Sequence, residues 1–367
     1  YQIWPHGFVL TATLFHCSRV LDELVEAPDA TLEQLCTRTQ GNAGHVAIML
    51  RTLSTVGWVT SSTVGTYCTT QGVATFAASS MLAGLCDTVY SEVHGGTGIA
   101  WGAHLSRLAT WLTSIEAGWS ILPESADVPF LAKMLTGAVL APLLLELRML
   151  SSTFTARADE GTHDHASQDV CLASVDDATA FAVGHFFGVQ QWGSYEPASK
   201  MLRLSESGLF IVERCPAFGV CLSYRPMLNA LYDASFGDTA AVFKYEGGHE
   251  AWVDRKLNVI GSGFMHNRYF ADMMNVHVKR IFDETPLQDQ PLVVADMGCG
   301  DGTLLKTIYL FVAAETQRGR HLDEYPLTMC GVDFNTDSLD ETGLTLTAAG
   351  APHGLMFGDI GDPIPMQ

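Results

Sequence analysis

Glycines at 298, 300 and 302, set among Asp296, Cys299 and Asp301, give the run Val293-Val-Ala-Asp-Met-Gly-Cys-Gly-Asp-Gly-Thr-Leu-Leu305 the most chemical content in this 367-residue chain. An apolar strand passes into a glycine-rich turn and then into a helix. With no Cβ in the way, the backbone can turn tightly and approach a ligand closely. The spacing is GxGxG. A dinucleotide fingerprint needs its third glycine where Thr303 stands, which disfavours pyrophosphate. S-adenosylmethionine, which carries no phosphate, fits better: its amino-acid end and ribose need close backbone contact, and a carboxylate further on takes the ribose hydroxyls. Asp333 is placed for that, and Asp359 for the adenine. The expected cofactor-binding set is Asp296, Gly298, Gly300, Asp301, Gly302, Asp333 and Asp359.

The elements that must position these residues follow from periodicity. Asp333 closes a second apolar run beginning at Leu327, read as the next parallel strand after a helix with Leu304, Ile308, Phe311 and Val312 on one face. A third run, from Leu355 to Ile360, contains Asp359. Sheets of this type have roughly six or seven strands. The chain therefore reads as a fragment whose sheet is unfinished at Gln367, and Tyr1 in place of an initiator methionine leaves targeting peptides undetermined. Residues 1–367 alone are expected to bind the cofactor weakly or not at all, because an unfinished sheet leaves an unpaired edge.

The composition, 47% apolar over 367 residues, predicts two or three globular domains. A net charge of -20 argues against a nonspecific grip on nucleic acid, which needs clustered Lys and Arg. Lys279-Arg280 and Arg318-Gly-Arg320 are the local basic stretches, readable as patches for an acidic substrate or as solvated faces. Nine cysteines without a CxxC pair suggest neither a zinc ribbon nor a disulfide framework, and a reducing, cytoplasmic setting is the simplest. Cys299 reads as a small packed side chain rather than a nucleophile. The longest apolar stretch, Met134 to Leu145, contains Pro142 and is too short to span a bilayer, so a buried helix and no membrane partner are expected.

Along the chain, Thr31 is a plausible N-cap of a short helix and Asn42 opens a second amphipathic one. Gly57-Trp-Val59, a polar tip from Ser61 to Gly65, and Tyr67 to Gly72 then read as a two-stranded wing. An echo follows downstream: a helical run from Ala178 to Val189, Trp192, and Leu202 onward to Gly208. The expected organisation is a winged-helix module over 1–84, a helical region over 85–165, a second winged-helix-like module over 166–245, and the start of a cofactor domain over 246–367. His163 and His165 flank an aspartate in a polar segment that reads as a solvated loop. The second helix of the first module carries only Arg51 as a formal cation, too little for a groove reader.

From Gly247 the chain becomes rich in polar and aromatic residues. A helix starting after Gly263 would set His266 and Tyr269 on one face at i,i+3, toward the cofactor domain. They are the candidate catalytic pair, as substrate contacts or as acid and base; packing and hydrogen bonding are the competing roles.

The run HExxxDRxLNVIGSGFxHxxYF from His249 to Phe270, ADMGCGDGTLLK from Ala295 to Lys306, GVDxN from Gly331 and GDIG from Gly358 carry a resemblance. So do His6-Gly-Phe8, GNxGH from Gly41 to His45, and Pro142 to Leu145. Together they resemble the N-terminal methyltransferase region of the polyketide-synthase-like enzymes that start saxitoxin biosynthesis, among the initiating methyltransferases of loading modules with a GNAT-like decarboxylase. The resemblance spans nearly the whole chain, most thinly over 85–130 and 150–175. It implies an α/β, Rossmann-like class I methyltransferase core, truncated at its C-terminal side and preceded by α+β winged-helix modules and a helical region. It implies methyl transfer from S-adenosylmethionine to the α-carbon of malonyl on an acyl carrier protein. Downstream GNAT-like, carrier and pyridoxal-phosphate condensing domains would follow on the same polypeptide. Relatives are expected to use mononuclear iron or manganese, which stabilises an enolate-like nucleophile. Its ligands are expected largely beyond Gln367, with Asp359 and His353 as the local candidates against holding adenine and capping a loop. Two other readings stand beside this one: an O-methyltransferase acting on a free small molecule, and a winged-helix regulator with a degenerate cofactor domain.

Overall fold

Two side chains decide where the first helical pair begins. Thr31 Oγ1 accepts from the Gln34 N–H (3.3 Å) while Gln34 Oε1 accepts from the Thr31 N–H (2.9 Å), a reciprocal capping box. Asn42 Oδ1 likewise accepts from the N–H groups of Gly44 (3.0 Å) and His45 (3.2 Å). They start α3 (Leu32–Thr39) and α4 (Ala43–Ser54), which follow α1 (Trp4–His16), α2 (Ser18–Glu26) and the short β1 (Ala30–Thr31). The expected wing strands are β2 (Val59–Ser61) and β3 (Thr66–Thr69), which pair with each other, and β1 lies on the other side of β3, all antiparallel.

The computed structural model describes residues 4–90, 101–119, 128–150, 169–246 and 249–359. Two units result, 1–244 and 245–367. His163 and His165 lie outside the described residues, as does the end of the GDIG motif.

After α5 (Gln71–Ala77), the first unit packs α6 (Ser80–Tyr90), α7 (Trp101–Ala109), α8 (Leu112–Glu116) and α9 (Val128–Leu150). The apolar run with Pro142 is the middle of α9, and its leucines are buried against α1, α6 and α7. Glycines allow α1 and α9 to cross closely: a Cβ on Gly7 would lie 2.3 Å from the Met134 carbonyl oxygen, and one on Gly137 would lie 2.7 Å from Trp4 Cα. Among the described residues one straight helical segment, Pro129–Arg148, is long and apolar enough to cross a membrane, and most of it is buried inside this unit.

The echo downstream has the same sheet order with less helix. β4 (Asp169–Cys171), β5 (Gly193–Glu196) and β6 (Met201–Leu204) form an antiparallel sheet with β6 in the centre. A single helix, α10 (Asp177–Val189), stands between β4 and β5, capped by Asp176, whose Oδ1 accepts from the Thr179 N–H at 2.9 Å. Then comes α11 (Glu206–Arg214) and a series of short helical turns to Val242.

The second unit opens with a two-residue hairpin, β7 (Tyr245–Glu246) and β8 (His249–Glu250), and then α12 (Arg255–Met273). This helix begins well before Gly263, a correction to the expected start, because Asp254 Oδ1 accepts from the Leu257 N–H at 2.9 Å and caps it there. It continues in π-helical turns through Glu284. Next come β9 (Val293–Met297), α13 (Thr303–Glu315), β10 (Thr328–Asp333), α14 (Thr336–Ala348) and β11 (His353–Phe357). The strands are parallel with β10 central: Val332 pairs with Met297 on one side and Met356 on the other. Each crossover is one helix, the usual way to return to a parallel neighbour. Leu305, Ile308 and Val312 of α13 pack with Met329, Leu346, Met274, Val278 and Phe282 to form this unit's core. Leu305, not Leu304, is the fully buried member of the first turn.

Arg318 belongs to this interior and is not part of a basic patch. Fully buried, it donates to the carbonyl oxygens of Tyr325 (2.6 Å), Pro326 (3.0 Å) and Pro291 (3.2 Å), and burial lowers its pKa. Lys279 and Arg280 are exposed.

Candidate functional site

The glycine turn joins β9 to α13 and is tied to the neighbouring strand first through its backbone. The N–H groups of Gly298 (2.7 Å) and Cys299 (3.0 Å) both donate to the Val332 carbonyl oxygen. Gly298, Gly300 and Gly302 have φ of 88°, 60° and 76°, the left-handed region that side chains with a Cβ resist. All three glycines are therefore needed by the path of the chain.

Asp333 stands at the end of β10 beside this turn and is 8% exposed. Its Oδ2 accepts from the Gly300 N–H (3.2 Å) and its Oδ1 from the Asn335 N–H (3.0 Å). Each carboxylate oxygen has more than one acceptor direction, so these two bonds orient the group without exhausting it. Asn335 in turn caps α14 through Oδ1, which accepts from the N–H groups of Asp337 (3.0 Å) and Ser338 (3.4 Å).

The other acids of the set have different surroundings. Burial, and then the charge of Asp333, raises the pKa of Asp296. Asp301 is raised by burial too, and its carboxylate is engaged at the helix start: Oδ1 accepts from the Thr303 N–H (3.0 Å) and Oδ2 from Thr303 Oγ1 (2.8 Å). It presses so close to α12 that a Cβ on Gly263 would fall 2.3 Å from its Oδ2. Asp359 is exposed just beyond β11.

Cys299 is buried, with its Sγ 3.3 Å from Thr342 Oγ1, and burial pushes its thiol up to about 11. Such a thiol is inert, as packing alone requires. Thr342 also donates to the Gly300 carbonyl oxygen (2.9 Å), a support for the turn that a reading of local motifs misses because it comes from α14. His266 and Tyr269 lie on α12, exposed; Tyr269 is 58% accessible.

Among the described residues, no three His, Cys, Asp or Glu side chains are arranged to hold a metal ion. His353 has its Nδ1 2.8 Å from the Ala351 carbonyl oxygen. The described residues do not make a cage for iron or manganese.

Comparison with known families adds identity to this geometry. Three domain profiles match in order: the AprA N-terminal domain over residues 3–61, the AprA winged helix domain over 136–238, and the AprA MT2-like domain over 250–367, a methyltransferase profile. No curated protein matches the chain.

Proposed function

The chain is built of AprA-family domains and carries a methyltransferase, and from that premise we propose that it transfers a methyl group from S-adenosylmethionine to the α-carbon of a malonyl thioester on an acyl carrier protein. The observation that carries the cofactor half is the placement of the Asp333 carboxylate against the Gly300 N–H of a turn with three left-handed glycines. When bound, S-adenosylmethionine supplies an electrophilic methyl on a sulfonium. Asp333 would accept from the ribose hydroxyls, and the glycines would let the amino-acid end approach the backbone. Asp296 would lie beneath that end, and Asp359, beyond β11, is the proposed adenine contact. The parallel three-stranded sheet with helical crossovers is compatible with a Rossmann-like class I core.

The acceptor half rests on the motif resemblance and on the AprA-type domain order. Carbon methylation needs the α-proton transferred to a base first, so that the enolate-like α-carbon can take the methyl group. His266 and Tyr269 are the proposed groups for handling that proton, accessible on α12 to a substrate delivered from solvent. The proposed partners are the malonyl-loaded acyl carrier protein and the downstream GNAT-like, carrier and pyridoxal-phosphate condensing domains of the same polypeptide, as in saxitoxin-type starter assembly.

The test is the intact mass of malonyl-loaded carrier protein after incubation with the full-length native protein, S-adenosylmethionine and ferrous iron. Gain of one methylene supports the proposal. No gain, with the cofactor bound, moves the acceptor to a free small molecule.

A further inference from the structure

Glu250 and Arg255, an acid and a base of the motif from His249 to Phe270, have no part in the site as described so far. Glu250 is 8% exposed. Its carboxylate accepts two hydrogen bonds from Arg255, from Nε at 2.7 Å and Nη2 at 2.5 Å. Such a bidentate pair fixes the plane of the carboxylate. Arg255 Nη1 reaches Asn258 Oδ1 at 3.4 Å, one turn along α12.

The same carboxylate has a second client, 85 residues away in the chain. Asn335 Nδ2 donates to Glu250 Oε2 at 3.3 Å. Asn335 is 2% exposed, so its amide has no recourse to solvent, and a buried donor without an acceptor is costly. Its side chain is thus held at both ends, Oδ1 on the first turn of α14 and Nδ2 on Glu250, while its own N–H holds Asp333 Oδ1. A continuous path runs Arg255, Glu250, Asn335, Asp333, Gly300.

We infer that Glu250 is a positioning residue for the methyl-donor site: by fixing Asn335 it sets the direction in which the Asp333 carboxylate presents its remaining lone pairs. The inference rests on reading Asp333 as the carboxylate that takes the ribose. A role confined to folding would need only the Arg255 pair. The reach to Asn335 is what links Glu250 to the turn.

The experiment is calorimetric binding of S-adenosylhomocysteine to the full-length protein, with the melting temperature recorded for each variant. Glu250→Ala and Asn335→Ala each weaken binding about tenfold, the loss of one charge-assisted hydrogen bond. The double variant is no weaker than either single one, because both break the same path. Glu250→Gln keeps an acceptor oxygen for Asn335 and recovers to within about threefold of wild type. If Glu250→Ala does not fold, Glu250→Asp keeps the charge but draws the carboxylate back by one methylene, and the same weakening is expected. Additive losses in the double variant, or a lowered melting temperature with unchanged affinity, would overturn the inference. Asp333→Ala is the reference: if it too binds like wild type, the ribose reading has failed; if it alone loses binding, only the role of Glu250 has.

Discussion

Two acidic groups, one in each unit, are almost fully buried and behave differently. In the first unit Glu146 of α9 is 1% exposed and His104 of α7 is 0% exposed. Glu146 Oε1 meets His104 Nδ1, while His104 Nε2 lies 3.1 Å from the Thr88 carbonyl oxygen of α6. Burial raises the pKa of Glu146, against the pull of the His104 hydrogen bond and of the His104 and Arg225 charges. That pair ties three helices, α6, α7 and α9. Asp333 in the second unit is held instead by two backbone N–H groups, next to a turn of three left-handed glycines. Burial of an acid marks a site only where acceptor capacity and accessible backbone meet.

The comparison can be broken in stages. The largest effect is expected at Glu146→Ala, which removes a buried partner and leaves a cavity. It should cost the first unit about 3 kcal/mol, read by hydrogen exchange along α9, with the affinity for S-adenosylhomocysteine unchanged. Equal loss of cofactor affinity would erase the distinction between the two acids.

Nearly as large is a pH effect from His16, whose imidazole burial holds down to about 4 from an ordinary 6.5. The depressed value means that the stability of the neutral ring is present above pH 6.5 and lost as the pH falls through about 4. The full loss is roughly 3 kcal/mol. Urea unfolding across that window should show a slope that His16→Asn reduces. Glu146, raised rather than lowered, works in the opposite direction: its contribution is present below the ordinary carboxylate range and is lost as the pH rises through its folded value.

The smallest effect is at Thr31→Ala, which opens one capping box at the surface and costs about 1 kcal/mol. A result near zero would mean that α3 is held by its packing alone.

What could be read in advance was local. Thr31 and Asn42 announce helix starts through their own neighbours, and the wing strands of the first module pair about the expected polar tip. The glycine turn and Asp333, each closing an apolar run, were legible for the same reason. Distance in the chain hid the rest. Arg318 looks like half of a basic patch until carbonyls from residues 291, 325 and 326 close on it. The link from Glu250 to Asn335 crosses 85 residues, and only the GVDxN spacing hinted that Asn335 matters. The start of α12 is set by the Asp254 cap and not by Gly263. That glycine serves instead as the gap into which Asp301 fits.

The central claim, that the turn at 298–302 and Asp333 form the methyl-donor site, is tested most directly by titrating S-adenosylhomocysteine into full-length wild type and Asp333→Ala. The account predicts saturable binding by wild type and a loss of about a hundredfold in the variant, the worth of two hydrogen bonds to a charged acceptor, with the fold retained by circular dichroism. Equal affinity in the two proteins would contradict it.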